Sequence, residues 1–141
     1  MLISTKGRYA LRVMLELAGH EKNEVVPLIS IAEKQQISEK YLESILVVLS
    51  KAGVIDGLRS KGGGYRLNRE PKDYSVGEIL RLTEGSLAPV SCLEGGSNHC
   101  DRAAECKTLP LWEKLDTLIC DYLDSVSLED LLGPSPLTEI E

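Results

Sequence analysis

The stretch Gln36-Ile37-Ser38-Glu39-Lys40-Tyr41-Leu42-Glu43-Ser44-Ile45-Leu46-Val47-Val48-Leu49 decides the fold. Ser38 is a good helix N-cap, because its hydroxyl can accept a backbone N–H of the first turn. Behind it Leu42, Ile45, Leu46 and Leu49 recur at helical spacing, which predicts a helix with one buried stripe, stopped at Gly53. Just upstream, Ile31 and Ala32 face inward from a brief helix over residues 28–35, which follows the extended link Val25-Val26-Pro27. Two helices separated by a three-residue turn, the second longer and capped, suggest a helix-turn-helix. Nearer the N-terminus, Ala10, Val13, Met14, Leu17 and Ala18 form another helical stripe that closes near Gly19.

Downstream, residues 54–59 and 65–68 read as two short strands around Ser60-Lys61-Gly62-Gly63-Gly64. Three successive glycines at a hairpin tip permit positive φ and let the backbone approach a partner closely. A helix-turn-helix followed at once by a basic, glycine-rich hairpin is the order of a winged helix. The expected fold class is therefore mainly α with a small β wing.

Ser75 and Glu78 have the spacing of a capping box, opening a fourth helix through Val76, Ile79, Leu80 and Thr83. Residues 85–107 show no periodicity, and a stretch of that length in a small domain is usually functional or disordered. Thr108 then caps a long helix, with Pro110 tolerated in its first turn and a stripe of Trp112, Leu115, Ile119, Tyr122 and Val126. Such a helix, so late in a small chain, has little to pack against except a second copy, which predicts a homodimer. Ser127 with Asp130 caps a last short helix, and Gly133-Pro134 ends the fold. The expected organisation is a winged helix-turn-helix over 1–84, a cysteine-bearing loop over 85–107, a dimerisation helix with a short final helix over 108–133, and a tail over 134–141.

The composition limits what this fold can do. The chain has 141 residues, 43% of them apolar and 27% charged, enough for one core. No apolar run approaches the ~20 residues of a membrane span, and Lys6, Arg8, Arg12 and Glu16 break up the N-terminal stretch, so the expected compartment is the cytosol. The net charge of −6 is unevenly spread: residues 1–75 carry +3 and residues 76–141 carry −9. A mildly basic N-terminal half can face phosphate while the acidic remainder keeps the protein soluble. Phe is absent and aromatics are 4%, so there is no base-stacking platform for single strands. No nucleophile–base pair or phosphate-binding loop appears, and the glycine triplet lacks the following Lys-Ser/Thr of a nucleotide site, so an enzyme is not expected.

The N-terminal half of a recognition helix projects into the major groove. Here it offers Ser38, Lys40, Tyr41, Glu43 and Ser44, beside Glu39. Lys40 suits phosphate or guanine, Ser44 several bases, and Glu43 the N4 amine of cytosine. Arg59 and Lys61 flank the wing tip, where an arginine fits a narrow minor groove, and Gly62, Gly63 and Gly64 bring the backbone near the sugar-phosphate wall. The plainer alternative is a solvated helix face and solubilising surface charges.

Cys92, Cys100 and Cys106 lie within fifteen residues of a loop that contains Gly95, Gly96, Ser97 and Asn98. Close Cys-x2-Cys pairs of zinc sites are missing. The wider gaps suit a larger object such as an iron–sulfur cluster, and the plainer alternative is three separate thiols. Cys120 reads as a half-buried helical cysteine, His99 as a neighbour of Cys100 that could ligate, and His20 as a helix-end surface residue.

With these residues in view, the chain resembles the BadM/Rrf-two family of bacterial winged-helix regulators, and within it the IscR-like iron–sulfur regulators. The resemblance rests on Ser4-Thr5-Lys6-Gly7-Arg8-Tyr9-Ala10-Leu11, on 37–43, on the wing 59–65, on Val76-Gly77-Glu78-Ile79 and on the three cysteines, and it spans roughly residues 1–132. It implies a homodimer on a palindromic double-stranded operator, the long helix as dimer interface, and a cluster held by Cys92, Cys100 and Cys106. [2Fe-2S] is favoured over [4Fe-4S]. Two departures matter. The first cysteine gap is seven residues rather than five, and Leu109 stands where such regulators carry a histidine, three residues after the last cysteine. Arg8 also occupies the place where NsrR-like relatives supply a carboxylate. The fourth ligand is thus open among His99, Cys120, Asp101, Glu105 and a non-protein group. The alternatives are a cluster-free CymR-like repressor of sulfur metabolism and, in another class, an electron-transfer or cluster-carrier protein.

Overall fold

The computed structural model describes residues 3–59, 62–96 and 100–133. Among the described residues, six α-helices and one β-hairpin follow the expected order: α1 Thr5–Ala18, α2 Leu28–Gln35, α3 Glu39–Lys51, β1 Ile55–Leu58, β2 Gly64–Leu67, α4 Val76–Glu84, α5 Leu109–Ser125 and α6 Leu128–Leu132. Short 3-10 turns lie at Pro71–Asp73, Ser91–Gly96 and Ala103–Glu105.

The periodic apolar residues of α1, α2 and α3 meet in one core. Ala10, Val13 and Met14 of α1, Ile31 of α2, and Leu42, Ile45, Leu46 and Leu49 of α3 have no exposed surface. The turn between α2 and α3 is made by Gln36, a non-glycine residue in the left-handed region (φ 54°), whose N–H returns to Ala32. Buried Ile37 fills the corner beneath it. Arg12 of α1 holds this bend from outside, donating to the Gln35 side chain at 3.1 Å and to the Gln35 carbonyl.

β1 and β2 pair antiparallel, with Ile55 opposite Leu67 and Leu58 opposite Gly64. Val26 adds a bridge on the outer side of β2, exchanging both backbone bonds with Tyr65 at 2.8 and 2.9 Å. Tyr74 anchors the far end of the hairpin. Its buried hydroxyl donates to Val54 O at 2.7 Å and accepts from the N–H groups of Asn68 and Arg69 at 3.1 Å each. Burial pushes this phenol's pKa up, and it stays neutral as a donor.

Two local details differ from expectation. Ser75 accepts from Glu78 N–H at 3.0 Å, but the Glu78 carboxylate does not complete a capping box: it pairs with Arg69 at 2.5 and 3.1 Å, a charged partner that outcompetes the backbone N–H. Thr108 makes no side-chain cap on α5. A complete capping box forms at Ser127 and Asp130, where a cap is expected, with bonds of 3.0 and 2.9 Å. α6 returns to the main core, where Leu128 is wholly buried and its N–H donates to Tyr74 O at 3.1 Å.

α5 also carries more apolar surface than one stripe. Leu123, with Val126 just past the helix end, packs against a second small core of Val76, Leu80 and Leu87. Leu111, Leu115, Leu118 and Tyr122 stay exposed by 58, 37, 54 and 60%. The solvent-facing stripe is therefore offset from the expected one, which mixed residues of both faces, because the α4 contact claims the side bearing Leu123. Among the described residues no helix is long and apolar enough to cross a membrane.

Candidate nucleic-acid interface and cysteine loop

Ser38, Glu39, Lys40, Glu43 and Ser44 are exposed on the first turns of α3. Local hydrogen bonds fix what the two serines can offer. Ser38 Oγ accepts from Tyr41 N–H at 3.2 Å, so its proton remains available for an acceptor such as phosphate. Ser44 Oγ donates to Tyr41 O at 2.6 Å, so its lone pairs remain available for an exocyclic amine. Lys40 and Glu43 supply one cation and one anion alongside. Tyr41 is half-buried, its ring edge-on to Tyr9 at 5.8 Å and 84°, so the ring braces α3 against α1.

At the wing, Arg59 and Gly62 are exposed and Gly63 is half-buried. Gly62 has φ +84° with nothing near a Cβ position, which marks a free turn. Gly64 is different: it is buried, and a Cβ there would collide with the Val26 carbonyl, so its missing side chain admits the Val26 bridge to Tyr65. Lys61, expected at the tip, lies outside the described residues, as does Ser60.

Between α3 and the wing runs an open groove lined by Val47, Lys51, Leu58, Arg59 and Arg66, among others. Val47 is 43% exposed and stands three, four and seven residues beyond Ser44, Glu43 and Lys40, so it extends their helix face toward the wing. Sequence reasoning ended the reading face at Ser44. The signal that extends it is Val47, an exposed apolar residue one turn on, suited to a thymine methyl, with Lys51 four residues later. Arg66 faces Asp56 across the hairpin at 3.6 Å, whereas Arg59 lies free of the β-ladder.

The cysteine segment has its own architecture. Cys92 is half-buried on the Ser91–Gly96 turn, Cys100 is exposed, and Cys106 is half-buried just before α5. No cysteine is in a disulfide. Cys106 Sγ lies 3.3 Å from Thr108 Oγ1, and hydrogen bonds from that hydroxyl and from the backbone of Thr108 pull the thiol's pKa down, toward the form that ligates metals. Among the described residues no three His, Cys, Asp or Glu side chains converge closely enough to hold one metal ion. The donor chemistry nevertheless fits an iron–sulfur cluster, with three soft thiols on one segment and one of them biased toward thiolate. Of the fourth-ligand candidates, His99 lies outside the described residues, and Asp101 and Glu105 are exposed. Cys120 sits at the α4–α5 contact, where its Sγ lies 3.7 Å from Asp116 and beside the Arg81 guanidinium, which also pairs with Asp124 at 2.6 Å.

Comparison with known proteins agrees with this geometry. A family profile described as "Rrf2: Iron-dependent Transcriptional regulator" matches residues 3–134. The HTH-type transcriptional regulator IscR of Vibrio vulnificus is 36% identical over 140 residues, which are 99% of this chain and 82% of that protein. Two solved structures share the fold closely. CymR, the global cysteine regulator of B. subtilis, has a TM-score of 0.77 at 38% identity, covering 94% of this chain and 97% of that one. IscR of T. potens has a TM-score of 0.70 at 38% identity, covering 100% and 89%. The likeness extends over nearly the whole length of the chain, and the chain belongs to the Rrf2 family of winged-helix transcriptional regulators.

Proposed function

We propose that the chain acts as a homodimer on a palindromic duplex operator, with α3 in the major groove and the wing tip in the minor groove. The observation that carries this is the shared open face of Lys40, Glu43, Ser44 and Val47 on α3, which runs through the groove to Arg59 on the wing. Lys40 supplies phosphate or guanine contact, Glu43 accepts from a cytosine amine, Ser44 accepts from an adenine or cytosine amine, and Arg59 follows the focused negative potential of a narrow minor groove. Ser38 donates to the backbone. The glycines at 62 and 63 let the tip lie close to the sugars.

The exposed stripe Leu111, Leu115, Leu118 and Tyr122 supports pairing through α5. Its spacing of four, three and four residues is that of a helical seam, and so much exposed apolar surface on one helix needs a cover. Two copies related by a two-fold axis place two α3 helices toward half-sites about 34–36 Å apart. A gel shift with the DNA upstream of its own coding sequence tests the reading. Retarded duplex at nanomolar protein is expected, and no shift with any fragment of the source genome refutes it.

The segment 85–107 is the sensor in this proposal, with Cys92, Cys100 and Cys106 holding an iron–sulfur cluster. When bound, such a cluster supplies a centre whose assembly and loss follow iron, oxygen or nitric oxide. The family description and the IscR relatives support a cluster of this kind, and we take [2Fe-2S] over [4Fe-4S] only as the sequence resemblance implies. A second reading drops the cluster and keeps the DNA contact, as a regulator of the CymR kind. It draws on the CymR structure and on Leu109, an apolar side chain three residues after Cys106. Iron and acid-labile sulfide counts on anaerobically purified protein decide between the two.

A further inference from the structure

We propose that Glu84 is a positioning residue that couples the cysteine segment to the recognition helix through the first turn of α1. This rests on the DNA-reading assignment above and adds the path by which that reading is regulated. Glu84 is the last residue of α4, and the cysteine segment starts immediately after it at Gly85, whose φ of +80° turns the chain. Its carboxylate reaches back to the start of the chain. Oε1 accepts from the Ser4 N–H at 3.1 Å and from the Ser4 hydroxyl at 2.5 Å. Ser4 Oγ in turn accepts from the Gly7 N–H at 3.0 Å, as the N-cap of α1. A Cβ at buried Gly7 would collide with Glu84 Oε1, so the glycine is what lets the carboxylate lie over the helix start. The peptide dipoles of α1 favour a negative charge there.

A second grip lies three residues on. Leu87 is 3% exposed and packs with Val76 and Leu80 of α4, flanked by Ile3 and Leu11 on the α1 side and by Leu123 and Val126 on the α5 side. The root of the cysteine segment is therefore fastened to α1 by a charge-assisted bond and by an apolar plug. From α1 the contacts continue to the reading head. Tyr9 meets Tyr41 of α3 edge-on, and Arg12 lies 4.9 Å over the Tyr9 ring while gripping the α2–α3 bend at Gln35. Cys92 is five residues past Leu87, so a change in its position pulls on a joint already seated on α1.

Coupling between two sites is reciprocal: if the position of the segment alters DNA affinity, DNA must alter the segment. This can be read without any metal. Full-length reduced protein is treated with N-ethylmaleimide, and alkylation rates at Cys92 and Cys106 are resolved by peptide mass spectrometry with and without a duplex that it retards in a gel. In the wild type the duplex is expected to change these rates by about fivefold or more, the lower end of ordinary coupling. Glu84→Ala is expected to cut the change below about twofold, and Ser4→Ala to do the same. Glu84→Gln, whose amide oxygen still accepts from Ser4, is expected to keep most of it. Should Glu84→Ala fail to fold, Ser4→Ala and Glu84→Gln decide alone. An undiminished duplex effect in Glu84→Ala or Ser4→Ala would mean direct shielding of the thiols and overturns the proposal, as do wild-type rates that ignore a bound duplex. Absence of any gel shift overturns the DNA reading, and this coupling with it, before a thiol is modified.

Discussion

The Tyr41 ring of α3 stands edge-on to the Tyr9 ring of α1, 5.8 Å between centroids and 84° between planes. It is the contact by which α1, which carries none of the reading residues, orients α3, which carries those proposed for the major groove. Tyr41→Leu keeps apolar contact and loses the aromatic pair, so it is expected to lower stability by about 1 kcal/mol in urea unfolding. Its DNA affinity should fall by more than its stability does, since α3 loses its brace while the core remains. An affinity equal to wild type would show that the ring serves packing alone.

Arg59 lies at the wing tip, free of the ladder that holds Arg66. Arg59→Ala is expected to weaken specific binding by about 1–3 kcal/mol in fluorescence anisotropy. Lys40→Ala, if Lys40 contacts phosphate, reduces the salt slope by about one and weakens all sequences alike. The two variants should therefore separate in a salt titration.

Leu118 is 54% exposed in the middle of the α5 stripe. Leu118→Glu places a charge at the centre of the proposed seam, and sedimentation should show a monomer with an unchanged helical circular dichroism spectrum. DNA affinity should fall steeply, because one head then binds without its twin. A variant that stays dimeric would move the interface elsewhere.

Cys92→Ala is expected to abolish the visible absorption of anaerobically purified protein and its bound iron. Full colour in that variant would remove Cys92 from the ligands. Cys120→Ala is expected to keep the colour, because Cys120 sits between α4 and α5 beside Arg81 and Asp116.

His20 bridges two carboxylates, Glu16 at 2.8 Å and Glu24 at 2.5 Å. Burial opposes the charge on the imidazole, but the bonds to Glu16 and Glu24 outweigh it and raise the pKa above its ordinary value. Folding thus favours the protonated ring. Its contribution is whole below about pH 6.5, the unfolded value, and is lost as pH rises through the raised folded value. Glu16 works in the opposite direction. Burial raises its pKa, yet His20, Gln35 and Lys34 together hold it lower, so its share is lost only as the solution becomes strongly acidic. His20→Ala should therefore cost more stability near pH 6 than near pH 9, by on the order of 1 kcal/mol for a half-buried imidazole between two carboxylates. Equal losses at both pH values would show the bridge to be neutral.

How much was legible in the sequence differs from element to element. The stripe of Leu42, Ile45, Leu46 and Leu49, the cap at Ser38 and the stop at Gly53 are local signals, and α3 runs from Glu39 to Lys51 as they dictate. The offset of the α5 stripe was not legible, because Leu111, Leu115, Leu118, Ile119, Tyr122 and Leu123 are all apolar and only packing on α4 shows which side is taken. The capping box at Ser75 failed for the same kind of reason. Glu78 had the spacing, but Arg69 arrives from a turn six residues before Ser75.

The sequence by itself determined the helices, the hairpin and their order, since each follows from side-chain period, caps and glycines within a few neighbouring residues. Tertiary structure alone decided that Gly64 of the wing packs against Val26, that Val47 and Arg59 line one open groove, and that Glu84 closes over Ser4. Those relations join residues far apart in the chain, and no local period encodes them. They are set by which faces must leave water together once the core of α1, α3 and α4 has closed.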